Sequence, residues 1–337
     1  MMDKAATGAS GQDLVLSVVV PIYNEADNIG PFLQRLERAL DGLDGGYEVV
    51  CVDDGSTDGS AERLIEERRR NPAIKLVRLS RNFGKELALT AGLDHAGGAA
   101  VVVIDADQQD PPELIPELLA KWREGFDVVH ARRASRASDS AAKRVTASWF
   151  YRIYNRLTDI GIPSDTGDFR LLDRRVVEAL GRLPERNRFM KGLFGWVGFR
   201  QVALDYERES RAFGETKWNY WRLWNLALEG ITSFSTMPLR VWSYVGFTIS
   251  LFAFAYALFL IFRTLVMGAD VPGYASLMVV VLFLGGINLL TLGIIGEYLG
   301  RTYMEVKGRP LYLIRERHGF GPEELLNAVD SMGRRHA

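Results

Sequence analysis

Two carboxylates one residue apart, Asp105 and Asp107, follow directly on the apolar run Ala100–Ile104. Just past a buried strand such a pair can approach one divalent cation across a turn. Oxygen ligands suit Mg²⁺ or Mn²⁺, and Mg²⁺ is commonly held by one or two carboxylates plus substrate phosphates. Gln109 adds a carbonyl oxygen, and Pro111-Pro112 stiffens the exit. The plainer reading is a solvated acidic loop capping the helix that starts near Glu113, because a bare Asp-x-Asp often arises by chance.

Asp53-Asp54-Gly55-Ser56 admits two compatible readings. One is a strand-to-helix turn with Asp58 or Ser60 as N-cap. In the other, Asp54 reaches a nucleobase or ribose while its neighbours make that turn. Phe83-Gly84-Lys85-Glu86 lacks the upstream glycine and the following Ser/Thr of a phosphate loop, and no GxGxxG occurs. Both nucleotide-loop readings are discarded. Cys51, the single cysteine, excludes an internal disulfide and a Cys-based zinc site and reads as a small core residue.

These clusters need elements to position them. Val- and Ile-rich candidate strands run over Leu14–Val20, Tyr47–Val52, Ile74–Leu79, Ala100–Ile104 and Phe126–His130. Helical patterns fall at about Asp27–Leu40, Ser60–Arg69, Lys85–Ala96 and Glu113–Arg123. Apolar strands alternating with helices predict an α/β fold, a mostly parallel sheet with helices on both faces. Ligands bind beyond the carboxyl ends of such strands. There the first, second and fourth strands lead into Pro21-Ile22-Tyr23-Asn24-Glu25, Asp53-Asp54-Gly55-Ser56 and Asp105-Ala106-Asp107, three polar clusters pointing to one site. No internal repeat is found, and Ala134–Ala142 reads as a flexible loop.

The 337 residues allow about two structural units. Charged residues at 25% and hydrophobic residues at 47% exclude a wholly disordered chain. A net charge of -1 argues against a dedicated nucleic-acid binder. The mean hydropathy of -0.02 hides two long apolar runs. Val241–Phe262 and Val271–Gly296 contain no charged residue, and each is long enough for the about 20 helical residues that span a bilayer core. Two transmembrane helices, 241–262 and 274–296, are therefore expected, in preference to two buried core helices. Gly285, Gly286 and Gly293 leave room for close helix packing, in the hairpin or in a homo-oligomer through these helices, although their spacing is not GxxxG. Arg301, Lys307, Arg309, Arg315 and Arg317 follow the second run, so positive-inside bias puts both ends in the cytoplasm. Leu14–Ile22 reads as a strand, not a signal peptide.

Trp218, Trp221, Leu228 and Ile231 recur at helical spacing ahead of the first run, with Arg222 and Asn225 off that stripe. This predicts an amphipathic helix on the inner leaflet, or an aromatic face packed on the catalytic domain.

Taken in order, Pro21-Ile22-Tyr23-Asn24-Glu25, Asp53-Asp54-Gly55-Ser56, Arg81-Asn82-Phe83-Gly84, Asp105-Ala106-Asp107-Gln108-Gln109-Asp110-Pro111-Pro112 and Arg211-Ala212-Phe213-Gly214-Glu215-Thr216-Lys217 form an ordered set. From about residue 15 to 317 the chain resembles the family 2 inverting glycosyltransferases of the GT-A fold. The likeness is to the polyprenyl-phosphate type, which includes dolichol-phosphate mannose synthase and, closer in the C-terminal helices, the bactoprenol glucosyltransferases.

The resemblance implies transfer of a sugar from a nucleotide-sugar, with UDP-glucose as the expected donor, to undecaprenyl or dolichyl phosphate at the cytoplasmic membrane face. It puts Pro21, Tyr23, Glu25, Val52 and Asp54 at the donor nucleotide, and Ala106 beside the diphosphate. Asp105, Asp107 and Gln109 match the metal ligands, for Mg²⁺ or Mn²⁺. Arg132 matches a donor or acceptor phosphate contact, and Arg211 and Lys217 the basic pair at the diphosphate. Asp165, Asp168 and Arg170 fall in the segment lining the sugar and acceptor. Asp168, Asp107 and Arg170 are the implied catalytic group, Asp168 either as a base or, as favoured here, as a positioning residue. Gln108 stands where relatives often carry Leu, and the Gln-x-x-Arg-Trp of processive synthases is absent.

The expected organisation is a flexible N-terminus (1–13) and a cytoplasmic catalytic domain (14–210). The basic motif with its interfacial helix (211–240), the transmembrane hairpin (241–296) and a cytoplasmic tail (297–337) follow. A family member acting on a non-lipid acceptor would share the catalytic domain, and a non-catalytic membrane scaffold would tolerate loss of the carboxylates.

Overall fold

The computed structural model describes residues 14–133, 166–186, 188–207, 237–267 and 273–321. Branched side chains suit a buried, pleated surface, and the Val/Ile runs form β1 (Leu14–Ile22), β2 (Gly46–Asp53), β3 (Ile74–Leu79) and β4 (Ala100–Val103). The fifth strand, β5, is Val128–Arg133. It starts later than expected because the Phe126 and Gly125 amides close the preceding helix on the Lys121 and Trp122 carbonyls. Three further strands complete the sheet: β6 (Thr166–Asp173), β7 (Gln201–Tyr206) and β8 (Ile314–His318).

The order across the sheet is β7-β5-β6-β4-β1-β2-β3-β8. β1 pairs in parallel with β2 and β4, β2 with β3, and β5 with β7. β6 runs antiparallel between β4 and β5, and β8 antiparallel to β3. The α/β fold with a mostly parallel sheet is thus as expected. β6 runs against its neighbours, so its first residues lie at the carboxyl end of β4.

Helices cover both faces. α1 (Ala26–Leu40) and α2 (Ser60–Arg70) lie on one, α3 (Lys85–His95) on the other; α4 (Ile115–Arg123) joins the first, and α5 (Arg174–Gly181) and α6 (Met190–Trp196) join the second. α3 approaches β1 so closely that a Cβ at Gly92 would lie 2.2 Å from Val19 Cγ1, which only glycine avoids. Cys51 is fully buried, and burial pushes its thiol up to about 12, consistent with an inert core residue.

Two long helices follow, α7 (Met237–Met267) and α8 (Tyr274–Val306). Both outrun the expected 241–262 and 274–296; α8 continues through a polar turn where Arg301 pairs with Glu297 at 2.9 Å. Large apolar side chains such as Phe252 and Leu289 point outward and are exposed. Among the described residues, Val279–Val306 is long and apolar enough to cross a membrane, with a mean hydropathy of 2.3, while Val241–Tyr256 is a shorter apolar stretch.

Of the expected cytoplasmic tail 297–337, the described residues 297–321 contribute the end of α8 and the edge strand β8. Tyr312 is buried against the α3 face, and its hydroxyl donates to Asp94 at 2.8 Å. The expected interfacial helix (apart from its last residues, which begin α7), the loop Ala134–Ala142, Asp165, Arg211 and Lys217 lie outside the described residues.

Candidate active site

Parallel pairing of β4, β1 and β2 puts the three predicted clusters side by side at one end of the sheet. The loops after β1 and β2 are laced together. Asn24 and Glu25 amides donate to Ser56 and Ser60 hydroxyls at 2.9 and 3.0 Å, and the Thr57 amide donates to Asn24 Oδ1 at 2.9 Å. Asp58 accepts from the Ser60 amide at 3.1 Å, although the residue at the α2 N-cap is Gly59. Pro21 and Glu25 are partly exposed, and Tyr23 offers an exposed ring. Asn28 Nδ2 donates to Glu25 at 2.5 Å.

Asp54 is nearly buried and works on the protein's own backbone. Its two oxygens accept from the Phe83 and Gly84 amides at 2.7 and 2.9 Å. Burial raises its pKa, opposed by those two bonds. Gly55, at φ +71°, lies under the same loop, where a Cβ would come 2.6 Å from the Arg81 carbonyl carbon. The segment 81–84 is therefore docked on 53–55, which fixes the start of α3. Val52 is fully buried in the core, so only its backbone can meet a nucleotide, and Ala106 is likewise buried.

The docked start of α3 brings Lys85 to the carboxyl end of β4. Its ammonium donates to Asp105 Oδ2 at 2.7 Å and to Asp168 Oδ2 at 2.5 Å. Asp168 arrives from β6, whose antiparallel pairing sets Arg170 opposite Val103. Lys191 stands 3.7 Å from the second Asp168 oxygen. Burial works to raise the Asp168 carboxyl, but Lys85 and then Lys191 outweigh it and hold it below the ordinary carboxylate range. Burial raises Asp105, partly opposed by Lys85. Beside them Glu86 is pushed up to about 7, by burial and then by the Asp168 charge.

Asp107 is buried and accepts from the Gln109 amide at 3.1 Å, across Gln108 in the left-handed region (φ 60°). Among the described residues, the buried Asp105 Oδ1 has no hydrogen-bond partner. An orphaned carboxylate oxygen next to a second carboxylate and a carboxamide suits a hard divalent cation. Among the described residues no three His, Cys, Asp or Glu side chains converge on one point. An ion here would draw on Asp105, Asp107 and Gln109, with substrate oxygens completing its shell.

One expected role changes. Arg170, expected to face the acceptor, is 2% exposed. Its guanidinium donates to the Gly167 and Asp168 carbonyls at 2.6 and 3.3 Å and lies over the Phe194 ring at 4.1 Å, because β6 turns it into the layer under α6. It props the backbone that carries Asp168. Arg132, at the same sheet end, is exposed and held by Asp205 of β7 through bonds of 2.6 and 2.9 Å. Tyr206, the next residue, bonds the buried Asp110 and so ties β7 to the 105–112 loop.

Sequence reasoning passed over Lys85, Lys191, Glu86 and Asp205. Only Lys85 had a usable signal: a lysine after Gly84 at a helix start just beyond the third strand.

Residues 17–181 match the family model described as glycosyl transferase family 2, and residues 237–302 match that of the GtrB C-terminal hairpin. An uncharacterized glycosyltransferase of Synechocystis sp. is 58% identical, covering 93% of this chain and 99% of its own. The SfII prophage-derived bactoprenol glucosyl transferase of Shigella flexneri is 47% identical, covering 91% and 99%. A prophage bactoprenol glucosyl transferase homolog of Escherichia coli is 46% identical, covering 89% and 98%. With identities of this size over nearly full length, joined to the strand-end carboxylates, the chain belongs to glycosyl transferase family 2 and is a glycosyltransferase.

Proposed function

We propose that this glycosyltransferase moves a sugar from a nucleotide-sugar to a polyprenyl phosphate at a membrane surface, with inversion at the anomeric carbon. The observation that carries the reading is the meeting of Asp105 and Asp168 on one ammonium, which supports a donor-side and an acceptor-side carboxylate acting at one site. Relatives named bactoprenol glucosyl transferase, 47% and 46% identical, support the lipid acceptor. UDP-glucose is the donor this likeness favours.

In the reaction an acceptor phosphate oxygen bonds to the anomeric carbon as the bond from that carbon to the nucleoside diphosphate breaks, and the electron pair leaves with the diphosphate. A Mg²⁺ or Mn²⁺ ion held by Asp105, Asp107 and Gln109 would supply Lewis-acid neutralisation of that leaving charge. Tyr23 gives the base a ring to stack on, Pro21 and Glu25 line the same strand end, and Asp54 keeps the 81–84 loop in place. Arg211 and Lys217 would add charge at the diphosphate, and Arg132 at a phosphate.

A phosphate monoester has a second pKa of about 6 and is already a nucleophile near neutral pH. Asp168, held ionised by two lysines, is a weak proton acceptor and fits a positioning role. Arg170 acts through it, from behind.

Both α7 and α8 enter the bilayer in this reading, with both termini on the cytoplasmic side and the 211–236 segment on the inner leaflet. Support comes from the exposed apolar surface of both helices and the match to a C-terminal hairpin. The test supplies detergent-solubilised protein with labelled UDP-glucose, with and without undecaprenyl phosphate. Label should enter the lipid phase only with the acceptor; transfer to a non-lipid product at equal rate without it would overturn the reading.

A further inference from the structure

The chemistry just described uses Lys85 only to hold Asp168 ionised. Its ammonium is shared by Asp105 Oδ2 and Asp168 Oδ2, at 2.7 and 2.5 Å, and so joins the ends of β4 and β6. The side chain is 45% exposed, and Asp105 and Asp168 are 23% and 21% exposed, so the bridge reaches solvent and is not sealed in the core. It is also built from behind: Asp54 fixes the Phe83 and Gly84 amides, and Gly55 lets the chain close down, which leaves Lys85 as the first residue of α3. Asp105 therefore has one oxygen on an ammonium and one buried oxygen that has no hydrogen-bond partner among the described residues. A divalent ion approaching that free oxygen meets a positive charge already seated on its neighbour.

We propose that Lys85 is the resident cation of the donor-free site, which bridges Asp105 to Asp168, competes with a divalent ion for Asp105, and remains on Asp168 as its positioning partner once the ion has bound. The proposal rests on reading Asp105 and Asp107 as metal ligands. Like charges at contact distance oppose each other even in a wetted cleft. The donor-free protein consequently binds a divalent ion weakly, and the negative diphosphate of the donor offsets the ammonium when both enter.

The test is a Mn²⁺ titration of the full chain in detergent, without nucleotide, in which electron paramagnetic resonance reads the free ion. Lys85→Met should tighten Mn²⁺ binding about tenfold, as expected for loss of one contact-distance charge. Lys85→Arg keeps the charge and should stay close to the parent protein. Unchanged or weaker binding in Lys85→Met overturns the proposal, as does equal tightening in both variants. Asp107→Asn separates the two claims. If it abolishes binding while Lys85→Met matches the parent, only the role of Lys85 falls. If Asp107→Asn and Asp105→Asn both bind Mn²⁺ as the parent does, the metal reading falls and takes this proposal with it.

Discussion

Arg78 on β3 donates to Glu316 on β8 at 2.8 Å, across 238 residues of sequence and both long helices. The same guanidinium reaches Asp53 at 3.2 Å, a fully buried carboxylate whose other oxygen accepts from the Ser56 amide at 3.0 Å. The C-terminal strand thus shares a cation with the turn that shapes the strand-end cluster after β2.

That sharing is unequal. Arg78→Met leaves Asp53 as an uncompensated buried charge and should cost about 3 kcal/mol. Glu316→Gln removes a partly exposed partner and should cost less than about 1 kcal/mol. Chemical unfolding of the two variants checks this, and equal losses would contradict it.

Arg170 should matter for rate and stability together. Arg170→Lys keeps the charge but loses the planar fork over Phe194, with its bonds to the Gly167 and Asp168 carbonyls. The expected result is a stability loss of about 2 kcal/mol, with a lower kcat and little change in the donor KM. A changed KM with unaltered stability would instead mean that Arg170 touches substrate.

Asp168→Asn should lower turnover without adding a pH dependence between pH 6 and 8. The parent carboxyl has a pKa held below its ordinary value, so it remains ionised throughout that window and has no proton to exchange there. A pH–rate profile decides. Activity that recovers steeply as the acceptor phosphate loses its second proton would identify Asp168 as a base.

The parts that were legible in the sequence are the ones that local pattern determines. β1 to β4 are Val/Ile runs, and parallel neighbours must bring their carboxyl ends together, so the clusters at Pro21, Asp53 and Asp105 converge by topology. Non-local pairing set the rest. Ile314–His318 has no strong strand pattern and becomes a strand only because β3 offers it an edge. Arg170 looks like a site residue in sequence, yet pairing with β4 and the Phe194 ring bury it. Lys85 resembled a failed phosphate loop because its two partners lie 20 and 83 residues away.

The orientation of the helices is open to labelling. With Cys51 buried, single cysteines placed by Gly268→Cys and Asp3→Cys can be probed with a membrane-impermeant maleimide in intact cells. Label on the first and none on the second is expected. The reverse pattern would invert the topology.

The most direct measurement follows label from UDP-glucose into undecaprenyl phosphate in the presence of Mg²⁺ or Mn²⁺, for the parent chain and for Asp107→Asn. Asp107→Asn keeps the side-chain shape and removes one charge from the carboxylate pair. The account predicts lipid-linked sugar from the parent, none when a chelator is added, and a loss of at least about a hundredfold in the variant with its fold intact. Near-parent activity in Asp107→Asn, or full activity in chelator, would contradict it.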